Sequence, residues 1–216
     1  MAPMESSNAE MRRTDVLRAS PRMFENDLLD KLSRVHPVVP VLIFLPLIAL
    51  LLVLSITSHM KAWHIVAGLA GGYAFWTLCE YWIHRIVFHF EPEEGFGTRL
   101  HWIIHGVHHD HPNDPMRLVM PPSVSVPLSA LFFLLFVAVL GTPTAYAVGA
   151  GFWIGYLAYD EIHYHLHHHN PTTRVGKLLR ELHMRHHFQD DTRGFGISAP
   201  YWDNVFRTPL KRAPKR

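Results

Sequence analysis

The 216-residue sequence contains little cysteine and little charge, and both shortages restrict the class of protein. Cys79 is the only cysteine in the sequence, which excludes an intrachain disulfide and a zinc site made of several thiolates. Charged residues make up 18% of the chain, against about 25% in average soluble domains. Long stretches contain almost no charge, which predicts membrane spans rather than a soluble core. The formal net charge of +2 is too small to indicate a nucleic-acid partner.

Four apolar runs predict four transmembrane helices, at about 38–57, 62–83, 124–140 and 144–160. The first run has no charged residue over a length that can cross a hydrocarbon core of about 30 Å. Except for Lys61, every lysine and arginine lies before the first run, between the second and third runs, or after the fourth run. This distribution predicts that these three segments face the cytoplasm. We therefore expect an all-α integral membrane protein with four transmembrane helices and a cytoplasmic, histidine-rich helical cap that holds a di-metal site.

The polar ends of the chain are expected to flank one membrane domain. Residues 1–19 predict a flexible N-terminus, residues 20–208 the membrane domain, and residues 209–216 a basic C-terminal tail. Ser20 as an N-cap, with Pro21 at the first helical position, predicts a helix over residues 21–35. Its apolar residues recur at helical spacing, which suits either the bilayer surface or ordinary packing.

Histidine is the residue type present in excess, since its count of 18 equals that of aspartate and glutamate together. Its densest stretch, residues 101–111, reads HWIIHGVHHDH. Residues three or four apart share one face of a helix, so several of these histidines can present imidazoles to one place. His84 and His89 are five apart, about 140° round an ideal helix, and need a helix end, a wide turn or two different metals.

Ten histidines have spacings that suit metal ligation, and neutral imidazole is a common ligand of iron, zinc and copper. Ten imidazoles suit two metals with about five ligands each, whereas one tetrahedral zinc site uses three or four. Glu80 and Asp160 lie about one turn before histidines, and we expect them to accept hydrogen bonds from ligand imidazoles. The predicted metal ligands are His84, His89, His105, His108, His109, His163, His167, His183, His186 and His187.

At these residues the sequence resembles the fatty acid hydroxylase superfamily of membrane di-iron enzymes. The resemblance covers roughly residues 20–208. We expect no fused cytochrome domain, because the sequence has no His-Pro-Gly-Gly haem motif. Five further motifs are Ser20-Pro-Arg-x-Phe-Glu25, Arg117-Leu-Val-Met-Pro-Pro122, Tyr159-Asp160-Glu161-x-His163, Gly194-Phe-Gly196 and Trp202-Asp203-x-Val-Phe206. They narrow the resemblance to the fatty acid 2-hydroxylases.

The resemblance implies an O2-dependent monooxygenase that hydroxylates carbon 2 of a long or very long acyl chain, usually on ceramide or a related sphingolipid. It implies two iron ions, which zinc can replace in purified protein, and electrons from a separate cytochrome b-type or other protein. Tyr159, Asp160 and Arg117 are then expected near the substrate headgroup or around the metal ligands. The family pattern assigns two sets of ligands, His84, His89, His105, His109 and His186 to one metal, and His108, His163, His167, His183 and His187 to the other.

Three alternative interpretations remain open from the sequence. A sterol desaturase or methyl oxidase, or a carotenoid hydroxylase, has similar histidine motifs. A histidine-rich metal transporter would place its site near the bilayer midplane, whereas the histidines here lie at the ends of the predicted spans. A pH-sensing scaffold explains the number of histidines but not their spacing. The expected location is a multi-pass membrane position with the site on the cytoplasmic side, in the endoplasmic reticulum of a eukaryote or the inner membrane of a bacterium.

Overall fold

The computed structural model of the protein describes residues 12–90, 92 and 94–211, and the regular structure in these ranges is entirely helical. Two short π-helical segments, Ile83–Phe88 and Trp102–Gly106, continue α4 and α5. The expected all-α fold is therefore confirmed. The helices are α1 Arg13–Arg18, α2 Asp27–Leu32, α3 Val38–Thr57, α4 Ala62–Trp82, α5 Phe96–His101, α6 Val107–Asp110, α7 Pro122–Leu140, α8 Thr144–His168, α9 Arg174–Phe188 and α10 Tyr201–Val205.

Helix α8 is the centre of the bundle, and α3, α4 and α7 pack against it. Glycines allow α4 and α8 to approach each other very closely. A Cβ atom at Gly72 would lie 2.0 Å from the carbonyl oxygen of Val148, and one at Gly151 would lie 2.1 Å from that of Leu69. Helix α8 is therefore held in register against α4, and its C-terminal part continues past the predicted span and carries His163 and His167.

Two of the helices in the described ranges, α3 and α7, are long and apolar enough to cross a membrane. Large apolar side chains on both remain exposed, such as Leu42 at 67% and Val139 at 70%. Such contiguous apolar surface is unfavourable in water and suits a lipid environment. By the same criteria of length and hydropathy α4 and α8 do not qualify, so the expected number of four spans is not established by composition.

The predicted helix over residues 21–35 was wrong in its start and length, since α2 begins only at Asp27. The side chain of Asn26 caps it by accepting hydrogen bonds from the N–H groups of Leu28 (3.0 Å) and Leu29 (3.2 Å). The preceding residues stay non-helical because Arg22 donates to backbone carbonyls there, including that of Phe24 at 2.8 Å. Asn26 thus provides the capping that was expected of Ser20.

The N-terminal segment also contains helix α1, within the residues that were expected to be flexible. The backbone N–H of Asn113 donates to the carbonyl of Leu17 (2.9 Å), and Nδ1 of His111 donates to that of Val16 (2.6 Å). These bonds attach α1 to the histidine-rich segment. Residues 1–11, and residues 212–216 of the predicted basic tail, lie outside the described residues.

Candidate metal centre

Five imidazoles from three separate parts of the chain converge in what we call the first cluster. Their candidate ligand nitrogens all lie within 4.8 Å of one another. Nε2 of His89 lies 3.2 Å from Nε2 of His84 and 3.1 Å from Nε2 of His186. The members are His84, His89, His105, His109 and His186.

The π-helical segment after α4 explains how His84 and His89 reach the same cluster. The N–H of His89 donates to the carbonyl of His84 at 3.2 Å, which is the i to i+5 bond of a π-helix. Residues five apart therefore lie one above the other, instead of about 140° apart as in an α-helix. This wide turn is one of the three solutions that the sequence left open.

The second cluster consists of five imidazoles that α6, α8 and α9 supply. Nε2 of His108 lies 3.1 Å from that of His163, and Nε2 of His183 lies 2.7 Å from that of His167. His163 and His167 are four apart on α8, and His183 and His187 four apart on α9, so each pair shares a helix face. The members are His108, His163, His167, His183 and His187, again with their candidate ligand nitrogens within 4.8 Å.

The two clusters adjoin, and residues that are consecutive in the sequence belong to different clusters. His108 and His109 are consecutive on α6, yet the first lies in the second cluster and the second in the first. On α9, His186 lies in the first cluster and His187 in the second. The rings of His109 and His187 are 4.3 Å apart, so the clusters are in direct contact. Their members are the two sets of five that the family pattern assigns.

The donor set fits metal ions of the imidazole-binding kind. Two nitrogens about 2.1 Å from one ion and at right angles would be about 3 Å apart, close to the separations here. Burial, followed by the neighbouring imidazoles, lowers the pKa of His89 to about 2. The same causes lower the pKa of His109 and of His163 to about 3. The rings are thus neutral near pH 7 and keep a lone pair for coordination.

Backbone carbonyls, not carboxylates, orient two rings of the first cluster. Nδ1 of His84 donates to the carbonyl of Phe195 at 2.7 Å, and Nδ1 of His186 to that of Arg193 at 2.8 Å. The carbonyl partners lie in the Gly194-Phe-Gly196 motif or directly before it, so a motif that carries the family resemblance also contacts the first cluster.

Glu80 and Asp160 were expected to accept hydrogen bonds from ligand imidazoles, and their hydrogen bonds go elsewhere. Glu80 accepts from the backbone N–H of Ser198 at 2.7 Å and from its hydroxyl. Asp160 accepts from the N–H of Met120 at 3.4 Å. Both carboxylates face loops that cross the helix ends, which corrects the expected contact.

The remaining predicted site residues lie beside the second cluster or at the N-terminal segment. The ring of Tyr159 stacks on that of His163, with centroids 5.7 Å apart. The buried guanidinium of Arg117 donates to Asp30 at 3.1 Å and to the carbonyl of Pro21. Arg117 therefore ties the segment before α7 to α2, and sequence reasoning missed Asp30, its partner about 90 residues away in the chain.

A cavity of about 280 Å³ lies against both clusters. His105 of the first cluster and His108 and His163 of the second form part of its wall. Arg117, Tyr159 and Asp160 line it as well. The rest of the lining is largely apolar and comes from α2 and the residues before it, the π-helical segment before α6 and the residues preceding α7, including Met23, Leu29, Ile104, Leu118 and Val119.

This arrangement defines an all-helical protein with a histidine-rich site, able to bind two metal ions, beside an apolar cavity. Residues 69–208 match the fatty acid hydroxylase family. A dihydroceramide fatty acyl 2-hydroxylase of Arabidopsis thaliana is 38% identical over 201 residues, which are 92% of this chain and 84% of that protein. A ceramide very long chain fatty acid hydroxylase of Saccharomyces cerevisiae is 43% identical over 142 residues, 64% of this chain and 37% of that protein.

A solved structure of full-length scs7p, in which only the hydroxylase domain is visible, has the same fold. It superposes with a TM-score of 0.82 at 36% identity, over 89% of this chain and 74% of that chain. The chain belongs to the fatty acid hydroxylase family, whose members are metal-dependent oxidoreductases.

Proposed function

We propose that this protein is a di-iron, O2-dependent monooxygenase that hydroxylates carbon 2 of long or very long acyl chains, most simply on ceramide or a related sphingolipid. The observation that carries the proposal is the apolar cavity whose wall includes histidines of both clusters. An acyl chain in this cavity would place a C–H bond next to both metal positions. The names of the relatives from Arabidopsis thaliana and Saccharomyces cerevisiae support an acyl lipid as substrate.

The ten histidines would hold the two iron ions, five at each, and zinc is expected to bind the same ligands in purified protein. When bound, ferrous ions supply the reductive activation of O2 that C–H hydroxylation needs. The chain supplies neutral imidazoles in a buried, preformed arrangement. We propose that the electrons come from a separate cytochrome b-type or similar protein.

The cavity residues would hold the substrate by burial of its tail and by exclusion of water. Leu29 and Leu32 of α2 line the cavity and are about half exposed, which suits an entrance from the lipid side. Tyr159 and Asp160 line it next to His163 and are proposed to contact the substrate near the reacting carbon. Arg117 is proposed to order this side of the cavity through Asp30, because its guanidinium already donates to that carboxylate.

We propose a multi-pass membrane protein in which α3, α4, α7 and the first part of α8 cross the bilayer, within a membrane domain of residues 20–208. The close packing of α4 against α8 and the exposed apolar faces of α3 and α7 support this arrangement. Both clusters would then lie on the cytoplasmic side, in the endoplasmic reticulum of a eukaryote or the inner membrane of a bacterium.

The proposal is tested by metal analysis of the purified protein and mass spectrometry of lipids from cells that express it. We expect two metal ions per chain and new 2-hydroxyacyl lipids in expressing cells. His108→Ala and His187→Ala should abolish hydroxylation and lower the metal content, whereas the exposed His165→Ala should change neither. Altered sterols or carotenoids with unchanged 2-hydroxyacyl lipids would contradict the substrate. Metal movement across vesicles without O2 consumption would indicate a transporter.

A further inference from the structure

The loop that carries the two carbonyl partners of the first cluster is itself held by one buried carboxylate. Asp203 of α10 is 3% exposed. Its Oδ1 accepts from the N–H of Phe195 at 2.9 Å, and its Oδ2 accepts from the N–H of Gly196 at 3.0 Å. Burying a carboxylate is costly unless hydrogen bonds compensate, so these contacts are expected to be strong and orienting.

Thr208 forms hydrogen bonds with the same loop and with Asp203. Its hydroxyl donates to Oδ1 of Asp203 at 2.8 Å, and its carbonyl accepts from the N–H of Gly194 at 3.0 Å. Gly194 has a φ of +77°, which is unfavourable for a side chain and turns the chain sharply. The loop is thus fixed through its N–H groups on the side of α10.

The opposite side of this loop faces the first cluster. The carbonyl of Phe195 accepts from Nδ1 of His84 at 2.7 Å, and the carbonyl of Arg193 accepts from Nδ1 of His186 at 2.8 Å. A hydrogen bond at the outward nitrogen selects the tautomer that leaves Nε2 free to bind a metal, and it fixes the ring orientation. Asp203 is therefore connected to two candidate ligands through the loop backbone.

We propose that Asp203 is a positioning residue for the metal position of the first cluster, and that it acts by holding the carbonyls of residues 193 and 195 against His186 and His84. The inference rests on the proposed function, because it requires that the first cluster binds a metal ion. Loss of such an outer partner typically weakens metal binding about 10- to 100-fold.

Three of the five rings in the second cluster lack comparable support, so the effect should be confined to one metal. In the described part of the chain, Nδ1 of His167, His183 and His187 is buried without a hydrogen-bond partner. The rings of the second cluster are held by the packing of α8 against α9 rather than by the loop. Asp203 therefore distinguishes the two metal positions, although the clusters are in contact.

The test uses zinc binding by the full-length protein in detergent, counted by mass spectrometry over a graded chelator series. Wild type is expected to bind two zinc ions. Asp203→Ala and Asp203→Asn should weaken one of them about 10- to 100-fold and leave the other unchanged. Asn204→Ala is the matched control, because Asn204 is the next residue on α10 and is exposed. It should behave as wild type.

Combined variants identify which position is affected. Adding Asp203→Asn to His84→Ala should have no further effect on zinc binding, because both act on the first cluster. Adding it to His187→Ala should weaken the remaining zinc, because the two changes act on different clusters. Helix content from circular dichroism must match wild type in each variant.

Several outcomes would overturn the inference, and they can be distinguished from the outcomes that would contradict the proposed function. Wild type with fewer than two zinc ions contradicts the proposed metal centre itself. Two ions in wild type together with unchanged binding in Asp203→Ala, or equal weakening of both ions, contradicts the role of Asp203. If Asp203 variants do not fold, Thr208→Val decides: it removes one hydrogen bond to Asp203 and should weaken the same single ion, and unchanged zinc binding would refute the inference.

Discussion

The backbone N–H of His89 donates to the carbonyl of His84 across a π-helical turn, and this bond brings together two imidazoles that an α-helix would separate. Their Nε2 atoms lie 3.2 Å apart as a result. π-Helical turns are rare and occur frequently at functional sites. Here the turn supplies two of the five rings in the first cluster, so the backbone geometry at the C-terminal end of α4 places two candidate metal ligands.

His89→Ala should remove one ring of the first cluster and lower the bound metal from two ions per chain to one. The second cluster does not include His89, so its ion should remain. Metal content by mass spectrometry is the measurement, with His165→Ala as the control because His165 is exposed on α8. Two ions retained at wild-type affinity in His89→Ala would contradict the assignment of this ring as a ligand.

Ser123→Trp should block the cavity and lower hydroxylation of long acyl lipids at least about tenfold, with no change in metal content. Ser123 lines the cavity and is exposed, so a larger side chain can enter the space without a clash in the core. Val139→Trp, on the exposed face of the same helix, is the control and should keep full activity. Equal activity of both variants would show that the acyl chain binds elsewhere.

Gly151→Ala should destabilise the helix bundle by about 1–3 kcal/mol, because its Cβ would lie 2.1 Å from the carbonyl oxygen of Leu69. Gly71→Ala has no neighbour within 4 Å of the added Cβ and should be neutral or stabilise α4 by about 0.5–1 kcal/mol. Reversible unfolding in mixed micelles measures both. The packing of α4 on α8 would be wrong if the two variants had equal stability.

The attachment of Met23, in the segment before α2, to the side chain of Asp30 should depend on pH. The N–H of Met23, at 2.7 Å, and then the side chain of Arg34 lower the pKa of Asp30 below its ordinary value of 3.8. Because the folded pKa is the lower one, the stabilisation is fully present above pH 3.8 and is lost as the pH falls through the folded pKa.

Hydrogen exchange of the Met23 amide, corrected for intrinsic rates, would report this attachment. Protection is expected at neutral pH and should be lost only in the acid range below 3.8. Asp30→Asn should reduce protection at every pH, whereas Asp27→Asn should follow wild type because the Asp27 side chain is 91% exposed. Unchanged protection in Asp30→Asn would show that Asp30 does not hold the segment before α2.

Features that depend on local spacing could be predicted from the amino-acid sequence. The apolar runs predicted helices close to α3, α4, α7 and the first part of α8, because a helix needs only its own backbone hydrogen bonds. The spacing of His163 with His167, and of His183 with His187, placed each pair on one helix face for the same reason. The all-helical fold and the family followed from these patterns together with the motifs.

Contacts between residues far apart in the chain could not be predicted and became visible only in the folded protein. Local signals could not distinguish Asn26 from Ser20 as the cap, nor reveal the π-helical turn at His84. They could not show that His84 is held by the carbonyl of Phe195, or that Asp30 pairs with Arg117. These partners meet because helices pack and loops fold over their ends, and backbone carbonyls, which every residue has, leave no signature in the sequence.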